Sequence, residues 1–392
     1  MGDIDSNKIL IIDYCNFEDY QIGGHLSFAK NLLSAFTSQL ALVGITTNKN
    51  DIVGKWFKKT INGVTYDYFA LTKYNKSRTK HLLPDRLKCY FLLRLYKKRI
   101  LQINIHNVFV QRHEILPAII NFGYSNICYR FPGLESPLGI SKYWFGKYLA
   151  GKFDKVFFKS LNKANIVLAS GDENAIMEMV KRSDGVLERS SIIKFPTRIN
   201  TDIFKPLDKL ESRRKLNLPM TSTIIVTTGR LAHFKGWKFM VDCFAFFLKE
   251  VSDSGLFFIG DGEDFSMLQD YISFNSLTEN VLLVGEKGPE IISLYLNASD
   301  LFIMGSSKEG WSTSLSEAVA CGIPACVTNF SSAKEIIEQG KNGYVVDERD
   351  KDIFVQTMIK ALQIPRGVNI ENSNLYSTGR LKEDILKYWK LT

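Results

Sequence analysis

The sequence predicts an α/β protein made of two Rossmann-like domains that face each other across a cleft. Its length of 392 residues exceeds one ordinary hydrophobic core. Short apolar, β-branched runs alternate with helical patterns, and the alternation restarts after a polar, proline-bearing segment at Phe195–Pro219. Such alternation is typical of parallel sheets covered by helices on both faces.

The first domain is expected to span residues 1–200. Its helical patterns include residues 26–40 and 142–162. The predicted strands are Ile9–Asp13, Leu42–Thr46, Ile103–His106, Asn126–Phe131, Ile166–Ala169 and Ile192–Phe195.

The second domain is expected to span residues 201–377, and an amphipathic helix in residues 378–392 is expected to pack back on the first domain. Ligands of such sheets bind outside the carboxyl ends of the strands, so the loops that follow the strands are candidate sites. The predicted strands are Thr223–Thr228, Leu256–Ile259, Val281–Val284, Leu301–Met304, Ala325–Thr328 and Tyr344–Val346.

Composition narrows the class of protein. The chain is 45% apolar and 12% aromatic, which suits a packed, soluble protein. No apolar run approaches the roughly 20 residues that cross a bilayer, and no signal-peptide pattern is present. The cysteines form no CxxC pair, so we expect free thiols in a reducing cytosol. They are Cys15, Cys89, Cys128, Cys243, Cys321 and Cys326.

Charge is divided unevenly along the chain. Residues 1–200 hold 29 Lys and Arg against 16 Asp and Glu, whereas residues 201–392 hold 21 against 25. The basic first half favours an anionic partner, for which nucleic acid, a membrane surface and a phosphorylated substrate are all open.

Two loops of the second domain have the composition of ligand sites. GRLAHFKG joins a strand to a helix and carries Arg230 and Lys235, which together with helix-terminal amides favour an anion. The alternative is an ordinary solvated loop. In the next loop, FFIGDGED, Asp261 and Glu263 are interpreted as acids favouring a helix N-terminus, with no metal required.

The segment KEGWSTSLSEAVACGIP contains Glu309 and Glu317. Ser314 and Glu317 have the spacing of a capping box, which accounts for Glu317 without a ligand. Glu309 lies in the loop before this helix, where a carboxylate can accept hydrogen bonds from sugar hydroxyls. The neighbouring amides of residues 310–313 can bind a phosphate.

These motifs carry a family resemblance. The segment from Gly229 to Gly343 resembles the C-terminal half of a retaining GT-B glycosyltransferase of family 4, the glycosyl transferases group 1. The matching segments, in family order, are GRLAHFKG, FFIGDGED, VLLVGEKGPEIISLYLNASDLFIMGSSKEGW, EGWSTSLSEAVACGIP and SSAKEIIEQGKNGYVV.

The resemblance implies a metal-independent sugar transfer from a UDP-sugar or a GDP-sugar, with no cofactor. It implies that Arg230 and Lys235 hold the donor diphosphate, that Glu309 contacts the transferred sugar, and that Glu317 holds the ribose. The further residues that it implies are Gly310, Trp311, Ser312 and Thr313 at the sugar and phosphate, and Gly285 and Glu286 at the base.

The first half resembles the family more loosely. QIGGHLSFAKNLL carries Gly23 and Gly24, which allow close backbone approach to a substrate. In INIHNVF, His106 matches a family histidine and is a candidate acceptor-side residue, although Asn104 replaces another.

Two departures from the family pattern accompany these matches. Pro132 stands before Gly133, where the family commonly has a histidine, and Arg130 is the candidate polar group nearby. The family's paired glycines before Glu335 are Ser331 and Ser332 here.

Residues 73–100 hold ten Lys and Arg against one acid, interleaved with leucines and aromatics, and residues 142–163 are similar. This pattern favours a helix lying on anionic lipid, although a core-facing helix with solvated lysines is an alternative. No nucleic-acid motif accompanies the charge. We therefore expect a cytoplasmic enzyme, peripheral on the inner face of the plasma membrane.

The predicted function is a transferase that extends a lipid-linked glycan in surface-polysaccharide or lipopolysaccharide biosynthesis. Its partners are then the nucleotide sugar, the glycan acceptor and the anionic membrane surface. The alternatives are a non-catalytic glycan- or nucleotide-binding protein on the same fold, and a nucleotide-sugar epimerase.

Overall fold

The computed structural model describes residues 8–20, 24–75, 84–131, 133, 138, 144–367 and 376–391. The chain divides into two compact units. Unit 1 comprises residues 1–197 with 380–392, and unit 2 comprises residues 198–379.

Within its described residues, unit 1 contains an eight-stranded sheet in the order β3-β4-β2-β1-β5-β6-β7-β8. All neighbouring strands run parallel except the β3–β4 pair at one edge, which is antiparallel. The strands are β1 Ile9–Ile12, β2 Leu40–Thr46, β3 Trp56–Ile61, β4 Val64–Lys73, β5 Asn107–Val110, β6 Asn126–Phe131, β7 Ile166–Ala169 and β8 Ile192–Lys194.

The helices of unit 1 cover both faces of this sheet. Along β1 every residue is buried, and successive side chains enter different apolar clusters: Leu10 and Ile12 one, Ile9 and Ile11 the other. Burial on both faces is what a continuous apolar run in a parallel sheet predicts. The helices are α1 Gly24–Phe36, α2 Asp85–Leu95, α3 Lys97–Ile100, α4 Ile115–Ile119, α5 Trp144–Leu161 and α6 Glu173–Arg182.

The C-terminal helix, Leu381–Trp389, belongs to unit 1 although the rest of the second half does not. Leu381, Ile385 and Trp389 are spaced four residues apart and are buried on one face. The Trp389 indole N–H donates to Oδ1 of Asn126, the first residue of β6, at 2.7 Å. The expectation that the last helix returns to the first domain is confirmed.

Unit 2 contains, in the part of the chain that the structure describes, a six-stranded parallel sheet in the order β11-β10-β9-β12-β13-β14. This is the doubly wound strand order 3-2-1-4-5-6 of a Rossmann fold. The strands are β9 Thr223–Thr228, β10 Ser254–Ile259, β11 Val281–Gly285, β12 Leu301–Met304, β13 Ala325–Thr328 and β14 Gly343–Val346.

The strand order of unit 2 reverses between β9 and β12, which pair directly. Loops that leave the carboxyl ends of these two strands diverge to opposite faces, and the crevice between them is where doubly wound sheets bind ligands. The helices around the sheet are α7 Lys209–Leu216, α8 Trp237–Glu250, α9 Phe265–Phe274, α10 Pro289–Ala298, α11 Thr313–Ala320, α12 Ala333–Ile336 and α13 Lys351–Ala361.

The polar, proline-bearing segment Phe195–Pro219, which separates the two predicted domains, is largely folded into unit 2. The unit boundary lies at Thr197, and α7 follows with Asp208 as its N-cap. Arg213 of α7 is buried, donates to Asp300 Oδ2 at 2.7 Å, and also donates to the Ala298 carbonyl oxygen at 2.9 Å. These bonds fix the start of unit 2 to its sheet.

Two features of unit 1 differ from the prediction. The strand predicted at Ile103–His106 is wrong: a short 3-10 turn occupies Leu101–Ile103, and β5 begins only at Asn107. The β3–β4 hairpin was not predicted, although its turn is Asn62-Gly63 with both residues at positive φ, a strong hairpin signal.

Candidate functional site

Three loops of unit 2 meet at the carboxyl edge of the sheet because glycines let their backbones touch. A Cβ on Gly236, after β9, would lie 1.9 Å from the Gly305 carbonyl oxygen, after β12. A Cβ on Gly260, after β10, would lie 1.9 Å from the Gly229 carbonyl oxygen. Both distances are impossible for any other residue, and both glycines have positive φ. The predicted loops are therefore brought together at one edge.

Lys235 and Glu309 join the loops after β9 and β12. Lys235 Nζ lies 2.6 Å from Glu309 Oε1, and that oxygen also accepts a hydrogen bond from Ser306 Oγ at 2.7 Å. The side chains are 20% and 11% exposed. Within the described chain, Glu309 Oε2 has no hydrogen-bond partner. The pair therefore fixes the carboxylate at the strand-order reversal and leaves one oxygen open to a ligand.

Arg230 lies in the same loop as Lys235 but nearer to solvent. Its Nε is 2.8 Å from Glu263 Oε2, and both side chains are more than half exposed. Glu263 was expected to favour the N-terminus of α9, but it pairs with Arg230, and the N-cap residue Asp264 makes no side-chain cap bond. A ligand phosphate would compete with Glu263 for Arg230.

The helix α11 begins two residues earlier than a capping box at Ser314 requires. Its N-cap is Ser312, whose Oγ accepts from the Leu315 amide at 3.3 Å. The predicted cap at Ser314 is wrong, and Glu317 is not its partner. Ser314 instead lies near the β9 loop, since a Cβ on Gly229 would meet Ser314 Oγ at 3.4 Å. The N-terminus of α11 thus faces the loop that carries Arg230 and Lys235.

The amides of residues 310–313 divide into two groups. The Ser312 N–H donates to Ser332 Oγ at 3.2 Å and is therefore not open to a ligand. Among the described residues, the amides of Gly310 and Thr313 have no hydrogen-bond partner. Trp311 is buried, and its ring centroid lies 5.1 Å from that of Tyr376. It therefore stabilises the loop by packing.

Glu317 lies on α11, half-buried, and no hydrogen bond or ion pair reaches its carboxylate from the residues that the structure describes. Burial raises the pKa of this carboxyl to about 8. A carboxyl without a partner beside a ligand edge can hydrogen-bond hydroxyl groups in either protonation state.

Gly285 ends β11 and Glu286 follows it at the same edge. The Gly260 amide donates to the Gly285 carbonyl oxygen at 3.0 Å, which joins this loop to the loop after β10. The side chain of Glu286 is exposed. Apart from Glu317, which lies within α11, the candidate residues of the second domain therefore lie at strand ends, on loops or at a helix start along one edge of one sheet.

The candidates of the first domain are not brought together. Gly24 begins α1, and a Cβ added there would meet no atom of the described residues within 4 Å, whereas Gly23 and Pro132 lie outside the described residues. His106 is exposed and precedes β5, so it stands at the amino edge of the sheet. The role of His106 as an acceptor-side residue stays a prediction.

Arg130 lies inside β6 and is only 2% exposed. Its two terminal nitrogens donate to Gln111 Oε1 at 3.3 Å and to Thr197 Oγ1 at 3.0 Å, and its guanidinium stands 3.7 Å from the centre of the Phe28 ring. This enclosure gives Arg130 a structural role in unit 1 and leaves it little surface for a substrate.

Sequence reasoning missed a polar cluster at the carboxyl edge of unit 1. Asp13, after β1, forms an ion pair with Arg112, after β5, and also accepts from Gln111 at 2.6 Å. Burial raises the pKa of the Asp13 carboxyl, but the charges of Arg112 and His25 together with the hydrogen bonds from Arg112 and Gln111 outweigh it, so the pKa lies below its usual value. A prediction that β5 ends at Val110 would have placed Gln111 and Arg112 at the carboxyl edge, beside Asp13.

His25 belongs to the same cluster. Burial lowers its pKa to about 3, with a further contribution from Arg112, so the ring is neutral near pH 7. Its Nδ1 is buried and finds no hydrogen-bond partner in the described chain. His25 is thus a polar group of unit 1 that the sequence motifs did not single out.

Comparisons with known proteins match most of the second half of the chain to a protein family. Residues 208–380 match the model of the family described as Glycosyl transferases group 1. N-acetyl-alpha-D-glucosaminyl L-malate synthase of Bacillus anthracis is 26% identical over 165 residues, 42% of this chain and 42% of that protein. The UDP-Gal:alpha-D-GlcNAc-diphosphoundecaprenol alpha-1,3-galactosyltransferase of Escherichia coli is 25% identical over 184 residues, 46% of this chain and 47% of that protein.

The alignments with both relatives span less than half of their lengths. A solved structure covers more: Anabaena Alr3699/HepE in complex with UDP and glucose superposes with a TM-score of 0.72 at 14% identity, over 98% of this chain and 99% of that one. At this identity the likeness shows the fold. The predicted fold class, two Rossmann-like bodies of the GT-B glycosyltransferases, is confirmed.

Proposed function

We propose, from the membership of residues 208–380 in the glycosyl transferases group 1 family, that this protein moves a sugar from a nucleoside-diphosphate sugar to a glycan acceptor. The observation that carries the proposal is the Lys235–Glu309 pair at the strand-order reversal of unit 2. It places a cation and a carboxylate with one open oxygen where doubly wound sheets bind nucleotides.

Each part of the donor matches a chemical group at this edge. Lys235 and Arg230 supply positive charge for the diphosphate, and the open amides at the start of α11 donate to its oxygens. The open Oε2 of Glu309 accepts from hydroxyls of the transferred sugar. Glu317 is assigned to the ribose, and the loop at Gly285 and Glu286 is assigned to the base.

The main chemical task in such a transfer is to stabilise negative charge on the departing diphosphate. Fixed cations and helix-terminal amides do so without reorganising during the reaction. The family resemblance implies retention of anomeric configuration, with the leaving phosphate deprotonating the acceptor on the same face. We include retention and independence of metals in the proposal.

The acceptor proposed is a lipid-linked glycan of a surface polysaccharide. One relative is named for an acceptor attached to diphosphoundecaprenol, and a solved protein of similar fold, 16% identical, is a lipopolysaccharide outer core galactosyltransferase. An enzyme acting on such acceptors has to reach a membrane surface. No helix in the described part of the chain is long and apolar enough to cross a membrane.

Helix α2 offers a surface suited to peripheral binding. Leu87, Phe91 and Leu95 are spaced four residues apart and are 48%, 62% and 72% exposed. Arg94 is exposed beside them, and α3 adds further basic side chains directly after the helix. An apolar stripe bordered by cations is complementary to an anionic lipid surface.

Helix α5 also exposes apolar side chains among basic ones. It contacts α4, which also contacts α2, so both basic stretches lie on one layer of unit 1. Tyr148 and Val156 of α5 are exposed among the exposed lysines Lys152, Lys155 and Lys159. We propose that this layer, α2 with α5, binds the cytoplasmic face of the membrane.

A donor panel tests the proposed activity. The protein is screened by thermal shift with UDP, GDP and their common sugar conjugates, and released nucleoside diphosphate is then measured with the stabilising donors. Stabilisation by one nucleotide together with release of that nucleoside diphosphate is expected. The absence of any response would favour the non-catalytic alternative, and interconversion of free donor sugars without transfer would favour an epimerase.

A further inference from the structure

Ser332 has a backbone conformation that disfavours its side chain. It follows β13 at the carboxyl edge of the unit 2 sheet, and its φ is +73°. A residue with a Cβ is strained in this left-handed region, which glycine occupies freely. The family resemblance expects glycine here, so the serine is a specific feature of this chain that has to be stabilised by its surroundings.

The Ser332 hydroxyl bridges two points of the loop after β12. It donates to the Gly310 carbonyl oxygen at 3.1 Å and accepts from the Ser312 amide at 3.2 Å. Ser332 is 1% exposed, and its bond from the Ser312 amide is buried while its bond to the Gly310 carbonyl is partly buried. A glycine, which has no hydroxyl, would leave the Gly310 carbonyl and the Ser312 amide without these bonds.

The bridged loop is the one that carries the donor-binding groups. Gly310 directly follows Glu309, whose carboxylate is fixed by Lys235, and Ser312 is the N-cap of α11. The two bonds of Ser332 therefore clamp the chain between the proposed sugar-binding carboxylate and the proposed phosphate-binding helix start. Small displacements of such groups are costly for ligand binding and catalysis.

We propose that Ser332 is a positioning residue that holds the segment from Glu309 to Thr313 in its ligand-binding arrangement. The proposal rests on the proposed function for its consequence in donor use, but the clamp itself is a property of the fold. Backbone strain at Ser332 is retained because the hydroxyl organises this loop.

The test compares Ser332→Gly and Ser332→Ala with the matched control Ser276→Gly. Ser276 is another serine of unit 2 in the left-handed region, at φ +56°, but it is exposed after α9 and far along the chain from the loop. Three quantities are measured: hydrogen exchange of residues 305–315, thermal stability, and the kinetics of donor and acceptor use.

Both Ser332 variants should exchange faster in residues 305–315 and lose about tenfold in kcat/KM for the donor, with the acceptor KM unchanged. Ser332→Gly should melt at a higher temperature than Ser332→Ala, because only glycine relieves the strain. Ser276→Gly should match wild type in exchange and kinetics. A hydroxyl with a purely structural role would lower the melting temperature without moving the donor parameters.

Two results would overturn the proposal: unchanged exchange in residues 305–315, or faster exchange with wild-type donor kinetics. Failure of the proposed function is distinguishable, because the wild-type protein would then bind no nucleotide sugar. In that case the exchange measurement still decides whether Ser332 holds the loop.

Discussion

Lys235 Nζ lies 2.6 Å from Glu309 Oε1, across the point where the strand order of unit 2 reverses. The pair joins two loops that are 74 residues apart in sequence. The cation, the carboxylate and the N-terminus of α11 therefore meet at one place, where they can bind a charged, hydroxylated donor.

Glu309→Ala should lower kcat/KM for transfer by at least about 10²-fold, because it removes the oxygen assigned to the transferred sugar. The fold should be retained, as the change shortens a single loop side chain at the sheet edge. Kinetics and circular dichroism check both statements, with Glu279→Ala, an exposed glutamate of unit 2, as the control. Full activity in Glu309→Ala would refute the assignment.

Glu263→Gln should lower the donor KM about threefold, because Glu263 competes with the diphosphate for Arg230. The effect is small since both partners are exposed and such pairs contribute little. Glu211→Gln removes an equally exposed ion pair, with Lys215 on α7, and should leave the donor KM unchanged. A higher donor KM in Glu263→Gln would show that Glu263 assists donor binding rather than opposing it.

Glu317→Gln should change how stability depends on pH. Burial raises the pKa of the Glu317 carboxyl to about 8, from a usual value of 4.5. Its stabilising contribution is therefore complete below about pH 4.5 and is lost as the pH rises through about 8. The variant should melt like wild type near about pH 4 and about 2–5 °C higher near about pH 9. An offset that does not vary with pH would contradict the raised pKa.

Phe91→Ser should weaken binding to vesicles that contain anionic lipid, because it interrupts the apolar stripe of α2. Vesicle flotation at low and high salt measures the binding, with neutral vesicles for comparison. Phe274→Ser is the matched control, since Phe274 is 86% exposed and belongs to unit 2 rather than to the α2–α5 layer of unit 1. Equal flotation of the wild type with neutral and anionic vesicles would contradict the electrostatic part of the proposal. No flotation with either kind of vesicle would refute the proposal that α2 and α5 form a membrane-binding surface.

The bounds of the unit 2 strands could be predicted closely from the sequence, because each strand is a short apolar run bounded by glycine or polar residues. Thr223–Thr228, Leu301–Met304 and Ala325–Thr328 have the predicted bounds. In unit 1, the runs around Ile103 and Val108 are equally β-branched. The left-handed Asn104 ends a 3-10 turn between them, and tertiary pairing with β1 selects the later run.

The candidate site was predictable as a set of loops but not as a set of contacts. Ser312 and Ser314 are equivalent as helix caps by sequence, and the bonds from Ser332 to the Ser312 amide and the Gly310 carbonyl are absent from any local pattern. The Arg230–Glu263 pair similarly depends on the close approach of two glycine loops. Contacts between loops distant in sequence decide which groups are open to a ligand.

The central claim is that the edge around Lys235 binds a nucleoside diphosphate. Calorimetric titration of UDP and GDP into wild type, Lys235→Ala and the control Lys238→Ala tests it, Lys238 being exposed three residues further along the chain. We predict that wild type and Lys238→Ala bind one of the two nucleotides alike, and that Lys235→Ala binds it at least about tenfold more weakly. Binding of neither nucleotide to wild type, or equal binding to wild type and Lys235→Ala, would contradict the account.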